Sequence, residues 1–499
     1  METTAFTAQL DAMRRFFASG QTLDLEFRKR QLRTLHSMVE ENEQEITAAV
    51  KADLNKPYEE AYTVEVMSVL GDVDYCLNHL DSWASPQHVR KSVVQAGDKA
   101  AFIQKDPLGL ILNIAPWNYP VNLALMPLVG AIAAGNCCVL KPSEVSPSTA
   151  ALLAKLIGQY FDSNYMRVIE GGIAETTELL KERFDHIFYT GAPAVGKIVM
   201  AAAAKHLTPV TLELGGKCPV ILDPEMKDVK VAGRRIAWGK WINAGQTCVA
   251  PDYLLCFEHH KEAIVAALKE AVQEYYGLNA KESKDYGRII SQKHAERLAS
   301  VLSRTQAKLA LGGAYDVEQR FIEPTILTDV ARDDPIMQDE IFGPILPIIT
   351  IKSMEEAVDI INERSAWGGK PLAMYPFTKR QELVDELMKK TSAGGVTVND
   401  VFMHMACDTL PFGGVGYSGT GRYHGKFSFD TFTHEKAVLH RTLAGESMMS
   451  IRYPPYSANK LKWSKRLMSK RLLPDLTSIL IYAFILALGT ALGAVLTKW

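Results

Sequence analysis

The sequence predicts an α/β protein built on parallel sheets, and three observations carry that expectation. From Pro107 onward, short apolar runs alternate with segments of helical periodicity, the pattern of strands joined by crossover helices. Polar and glycine-rich stretches directly follow several of the apolar runs, at the carboxyl ends of the expected strands, where open sheets of this kind bind ligands. At 499 residues the chain is too long for one simple core, so two or three lobes are expected.

In chain order, the first fifty residues read as helix. Leu32, Leu35, Val39, Ile46 and Val50 recur at helical spacing with charges between them. Residues 71–80 continue the pattern in a further helix, broken by Pro86. Residues 91–104 read as a hairpin, in which 92–94 and 100–103 flank the turn Ala96-Gly97-Asp98; such a ribbon suits an oligomer contact. Residues 109–114 form a strand leading into Pro116-Trp117-Asn118-Tyr119-Pro120, and 123–134 a helix. The strand 137–140 ends in Lys141-Pro142-Ser143-Glu144, and 148–160 is the next helix. Strands at 166–169 and 186–189 follow, the second entering a helix through the glycine-bounded turn Thr190-Gly191-Ala192-Pro193-Ala194-Val195-Gly196-Lys197. No Gly-x-Gly-x-x-Gly follows any of these strands, and two glycines five apart are weak evidence of a dinucleotide site by themselves. A second alternating region runs from Glu213 to about Phe412. It holds a strand at 253–257, a helix at 261–276, the segment Glu340-Ile341-Phe342-Gly343-Pro344, and, closing it, Leu410-Pro411-Phe412-Gly413-Gly414-Val415-Gly416. Residues 427–432 read as a late edge strand.

Composition narrows the function. Apolar residues make up 47% and charged residues 22%, ordinary for a globular enzyme. A formal net charge of −2 gives no electrostatic reason to expect nucleic acid. Seven scattered cysteines without paired spacing suit a reducing compartment. Residues 1–20 lack the continuous apolar core of a secretory signal. Residues 476–496 form an uncharged run, LTSILIYAFILALGTALGAVL, of bilayer-spanning length. From 452 to 471 stand Arg452, Lys460, Lys462, Lys465, Arg466, Lys470 and Arg471 without an acid among them, a flank that stays cytosolic by the positive-inside rule. A C-terminal transmembrane anchor is expected over a buried core helix.

Two stretches carry the chemistry. Asn243-Ala244-Gly245-Gln246-Thr247-Cys248-Val249-Ala250-Pro251-Asp252 sets a cysteine among small and polar residues with no second cysteine nearby to make a metal knuckle. Most free cysteines are small buried hydrophobes, and that role is expected for the other six; Cys248 has the polar surroundings a nucleophilic thiol requires. Leu212-Glu213-Leu214-Gly215-Gly216-Lys217 places one carboxylate between two leucines ahead of a double-glycine turn. Alone it reads as a strand end with a surface Glu.

Together the two stretches resemble the aldehyde dehydrogenase superfamily, whose nucleophilic Cys and general-base Glu sit in such motifs about thirty-five residues apart, as Glu213 and Cys248 do. The resemblance covers nearly all of residues 11–439. It is nearest to class 3, carried by 177–188, 205–217 and 342–347, and within that class to the microsomal, membrane-anchored members that oxidise fatty aldehydes. Cys218 and Pro193 depart from the polar residues expected there, and 365–369 is a short insertion ahead of Lys370-Pro371-Leu372-Ala373.

The resemblance implies an aldehyde dehydrogenase fold: a Rossmann-like NAD domain (1–88 and 105–212), an α/β catalytic domain (213–420) and a small β oligomerisation element (89–104 and 421–445). A basic linker (446–475) and the anchor (476–496) follow. It implies NAD-dependent oxidation of medium- to long-chain aldehydes to acids, through a thiohemiacetal and thioester on Cys248. Asn118 and the Cys248 backbone N–H would stabilise the oxyanion, and Glu213 would be the hydrolytic base. Lys141 and Glu144 would contact the adenosine ribose, and the turn bearing Thr190, Gly191, Val195 and Gly196 replaces the usual fingerprint. Glu340 would accept the nicotinamide ribose, with Phe342 packed beside it. The charge of Glu144 opposes a 2′-phosphate, so NAD is favoured over NADP. No metal is expected. The expected partners are an aldehyde, a lipid bilayer and a second copy in a homodimer, in a tail-anchored endoplasmic reticulum protein with cytosolic lobes. Two rivals stand beside this: an acylating relative that passes the thioester to coenzyme A, disfavoured by Glu213, and a non-catalytic paralogue, disfavoured by the intact Cys248, Glu213, Asn118 and Glu340.

Overall fold

The computed structural model describes residues 4–91, 99–366, 369–444 and 446–468. The chain divides into two compact units, one of Met1–Trp83 with Pro107–Thr433 and one of Ala84–Asp106 with the chain from His434 on.

The first unit contains two principal sheets. One has six strands in the order Gly419–Thr420, Val210–Leu214, His186–Gly191, Leu110–Ile114, Cys137–Lys141, Met166–Val168, parallel except for the antiparallel edge at Gly419. The other has seven, in the order Lys308–Leu311, Thr325–Thr328, Ile345–Ile351, Pro251–Phe257, Cys218–Leu222, Ala373–Phe377, Gly395–Val396, parallel except for the antiparallel Lys308–Leu311 edge. Strands such as Leu110–Ile114 and Cys218–Leu222 are buried along their whole length, which is why they read as continuous apolar runs rather than alternating ones. Helix Asn122–Ala134 is apolar on every side and buried from Ala124 to Ala134, and it stops at Gly135 in the left-handed region.

The N-terminal helices match their spacing, since Leu32, Leu35, Val39, Ile46 and Val50 are all 0% exposed. Residues 427–432 do not form the expected edge strand. Gly425–Thr431 is a helix, because Phe429 and Phe432, three apart, both turn into the core. Its Ser428 lies so close to helix Asn122–Ala134 that a Cβ on Gly130 would come within 2.3 Å of the serine Cβ. The phenylalanines at 427 and 429 mimic strand alternation, but the face that packs is helical.

The second unit carries a three-stranded sheet in the order Gln87–His88, Ala100–Pro107, Thr433–His440. The residues at 100–103 are in a strand as expected, yet their described antiparallel partner is Gln87–His88, with Gln87 opposite Ile103. Residues 92–94 of the expected hairpin lie outside the described residues, as do the middle of the insertion and the apolar run 476–496. Among the described residues, no helix is long and apolar enough to cross a membrane.

Candidate active site

The nucleophile loop is built on strained backbone. Helix Val229–Trp241 gives way to Ile242–Gly245, where Asn243 and Ala244 hold φ of 51° and 50°. Left-handed backbone costs a non-glycine residue on the order of 1–2 kcal/mol, and a dense set of hydrogen bonds holds it. The Asn243 N–H donates to Glu60 (3.0 Å) and its side-chain amide to the Asn118 and Gln246 carbonyls (2.8 and 3.1 Å). The Gln246 amide donates to the Asn243 and Arg288 carbonyls, and its oxygen accepts the Ile290 N–H. Gly245 has φ of 75°, and a Cβ there would fall 2.3 Å from the Gly343 carbonyl oxygen, so this loop seats directly on the Phe342–Pro344 segment.

Cys248 follows, half-buried. Burial first, then the carboxyls of Glu340 and Glu213, push its thiol well above the usual range, while the backbone N–H groups of Cys248 and Val249 pull the other way. Burial thus favours the thiol form, although the flanking residues are small and polar. Of the six other cysteines, Cys76, Cys137, Cys138, Cys218 and Cys256 are buried as expected, whereas Cys407 is half-buried. Cys218 supports the nucleophile from behind: its thiol donates to the Cys248 carbonyl (3.4 Å) and accepts the Ala373 N–H (3.2 Å).

Glu213 sits on strand Val210–Leu214, opposite Thr190 on one neighbour and Gly419 on the other. It is 3% exposed, and neither carboxyl oxygen has a hydrogen-bond partner among the described residues. Burial alone pushes its pKa well above the carboxylate range. Asn118, 3% exposed, reaches the nucleophile loop through its side-chain amide, which donates to the Gln246 carbonyl at 3.0 Å.

These groups open onto one cavity of about 600 Å³. Of the residues expected to act, Cys248, Glu213, Asn118, Thr190, Gly191, Glu340 and Phe342 line it. The Thr190 hydroxyl is buried there with no partner among the described residues. Glu340 has its pKa raised to about 8, by burial and then Asp252, against the Gly216 N–H, Lys217 and Arg297. A Cβ on Gly215 would lie 1.9 Å from the Glu340 carboxyl, so only a bare backbone fits beside that group. Lys141, Glu144, Val195 and Gly196 are not in the lining. Lys141 pairs with Glu144 at 3.3 Å at the end of strand Cys137–Lys141. Val195 is exposed in the first turn of helix Pro193–Ala204, with Gly196 buried against Leu214.

The lining also contains residues that sequence reasoning assigned no role. Trp117 meets Phe342 edge-on at 5.3 Å and His294 at 4.9 Å, and Arg297 donates to the Ile341 carbonyl at 2.6 Å. His294 and Arg297 stand three apart on helix Gln292–Arg304, outside any motif, so a single sequence offers no signal for them. Lys217 follows the double glycine after Glu213; its amine is tied to Asp252 and to the carbonyls of Ile336 and Asp339. Among the described residues no cluster of three or more His, Cys, Asp or Glu has a metal-holding arrangement.

Comparison with known proteins agrees with this architecture. Residues 2–438 match the model of the aldehyde dehydrogenase family. Aldehyde dehydrogenase family 3 member A2 of Mus musculus is 49% identical over 484 residues, covering 97% of this chain and 98% of that protein. The "Aldehyde dehydrogenase, dimeric NADP-preferring" of Rattus norvegicus is 51% identical over 445 residues, covering 89% and 96%. A solved structure, the "Substrate bound state of Staphylococcus Aureus AldH", superposes with a TM-score of 0.89 at 44% identity, covering 93% of this chain and 100% of that one.

Proposed function

This chain belongs to the aldehyde dehydrogenase family, and from that premise we propose that it oxidises medium- to long-chain fatty aldehydes to carboxylic acids with NAD, through a thioester on Cys248 that Glu213 hydrolyses. The observation that carries this reading is the convergence of Cys248, Glu213, Asn118 and Glu340 on one cavity.

The residues present fit a nicotinamide dinucleotide. The bare backbone at Gly215 beside Glu340, and the buried, unpartnered Thr190 hydroxyl, leave polar atoms open to a flat, hydroxyl-bearing group. Glu340 would accept the ribose hydroxyls, with Phe342 packed beside it. Lys141 and Glu144 would take the adenosine ribose, and the turn of Thr190, Gly191, Val195 and Gly196 would lie along the dinucleotide. The Glu144 carboxylate opposes a 2′-phosphate, so NAD is the preferred cofactor. NADP is the second choice, and the name of the rat relative keeps it in view. When bound, the cofactor supplies the hydride acceptor. The sheet of Leu110–Ile114 then forms the cofactor domain (1–88 and 105–212) and the sheet of Pro251–Phe257 the catalytic domain (213–420).

The rest is the work of this chain. The Cys248 thiol gives its proton to water and its sulfur attacks the carbonyl carbon, the C=O π pair moving to oxygen, which converts a poor hydride donor into a tetrahedral alkoxide. The Asn118 amide and the Cys248 backbone N–H hold that oxygen; one such donor is worth about 3–4 kcal/mol. After oxidation to the thioester, Glu213 takes a proton from water, whose oxygen attacks the acyl carbon, and the thiolate leaves. A carboxyl with no internal partner and a raised pKa is suited to that base role near neutral pH. NADH should form from an aldehyde without coenzyme A; an absolute requirement for coenzyme A would overturn the hydrolytic reading.

The long-chain preference rests on the resemblance to the membrane-anchored class 3 members and on the apolar run 476–496 with its basic flank, read as an anchor that holds the enzyme at the endoplasmic reticulum membrane with its lobes in the cytosol. The sheet of Gln87–His88, Ala100–Pro107 and Thr433–His440, which overlaps the element 89–104 and 421–445, is the proposed contact of a homodimer.

A further inference from the structure

Lys56 and Glu65 form an ion pair at 2.7 Å with both side chains 0% exposed. Neither belongs to a motif; they stand nine residues apart, and each is about sixty residues from the 118–122 turn that it touches. The Lys56 amine also donates to the Asn118 carbonyl at 2.9 Å and sits 3.9 Å over the Tyr119 ring. The second Glu65 oxygen accepts the N–H groups of Val121 and Asn122 at 3.0 and 2.9 Å. The pair thus grips the 118–122 turn from both ends, by its carbonyl and by its amides. Glu65 lies in a π-helical stretch, Tyr62–Met67, a local widening that often occurs at functional sites. The gripped turn in turn reaches the nucleophile: the Asn118 amide donates to the Gln246 carbonyl, and the Tyr119 hydroxyl bonds that of Thr247 at 2.8 Å.

A buried ion pair gives little net stability over an apolar pair of the same size, so stability alone does not account for two charges here. We infer that Lys56 and Glu65 are positioning residues for the oxyanion donor, fixing the backbone from which the Asn118 amide is aimed at the oxygen of the carbonyl that Cys248 attacks. This rests on the Asn118 assignment made above. Lys56 cannot be replaced in this by Asn243, which shares the Asn118 carbonyl at 2.8 Å but makes no contact with the Glu65 end of the turn.

The test is a double-mutant cycle read by the pre-steady-state NADH burst, with NADH affinity measured on each variant by fluorescence. Asn118→Ala is expected to slow the burst by about 100- to 1,000-fold. Lys56→Met is expected to slow it by about 10- to 100-fold, as misplacement of a catalytic group does, with NADH affinity unchanged. In the Asn118→Ala background Lys56→Met should then add almost nothing, because the group it positions is gone. If Lys56→Met fails to accumulate as folded protein, Glu65→Gln, which keeps the volume and removes the charge, is read in the same cycle. An unchanged burst in Asn118→Ala overturns the oxyanion assignment and the inference with it. A slow Asn118→Ala combined with fully additive or absent effects of the positioning variant overturns the inference alone.

Discussion

At the scale of single residues, burial pushes both proposed reacting groups toward their protonated forms. Burial raises Cys248 and Glu213 above their ordinary values, and each carboxyl raises the thiol further. An acid with a raised pKa releases its proton at higher pH, so thiolate and carboxylate both grow as pH rises. Both the NADH burst and steady turnover should therefore climb between pH 7 and 9 at saturating cofactor. A profile that is flat or falls over that range contradicts the assignment. Cys248 stands out as a candidate through its small and polar neighbours, whereas Glu213, between two leucines, draws attention only once its stretch is paired with that of Cys248 in the family resemblance. Lys56 and Glu65 were not legible, since ordinary helical residues surround them and only the fold carries them to Asn118.

At the scale of elements, the strand ends decide the site. The register that sets Thr190 opposite Glu213 puts both at the carboxyl edge of one sheet, and the chain after it must pass Glu340 with no side chain at 215. Gly215→Ala should push the Glu340 carboxyl aside. Loss of a hydrogen bond to a charged group costs about 1.5–3 kcal/mol, which raises the KM for NAD by about 10- to 100-fold while the KM for aldehyde changes little. An unchanged KM for NAD would show that Glu340 does not hold the cofactor. Parallel strands were legible as unbroken apolar runs. Helix Gly425–Thr431 was not, because its fit against Gly130 is a tertiary contact and its phenylalanine spacing imitates a strand.

At the scale of the whole molecule, the proposed catalytic groups all lie in the unit of Met1–Trp83 and Pro107–Thr433, and the proposed anchor lies far from them in sequence. A chain ending at Tyr456 should leave the membrane fraction, keep its activity on short aldehydes and lose more on long ones presented in vesicles, since apolar substrates concentrate in lipid. Full-length protein should resist alkaline carbonate extraction. Release by carbonate would remove the anchor and, with it, the main support for a long-chain preference. The basic flank and the length of the run carry the expectation of an anchor, whereas the pairing of Ala100–Pro107 with Gln87–His88 depends on where a two-residue strand comes to rest, which a single sequence does not encode locally.

The central claim is a covalent path in which Cys248 carries the acyl group and Glu213 releases it. Rapid-quench mass spectrometry of Glu213→Gln, mixed with NAD and an aldehyde, tests both roles at once. The account expects about one equivalent of NADH per site, a matching acyl mass on the Cys248 peptide that persists for many turnover times of the wild-type enzyme, and neither signal in Cys248→Ala. Rapid continued turnover by Glu213→Gln, or an acyl mass on any other residue, would contradict it.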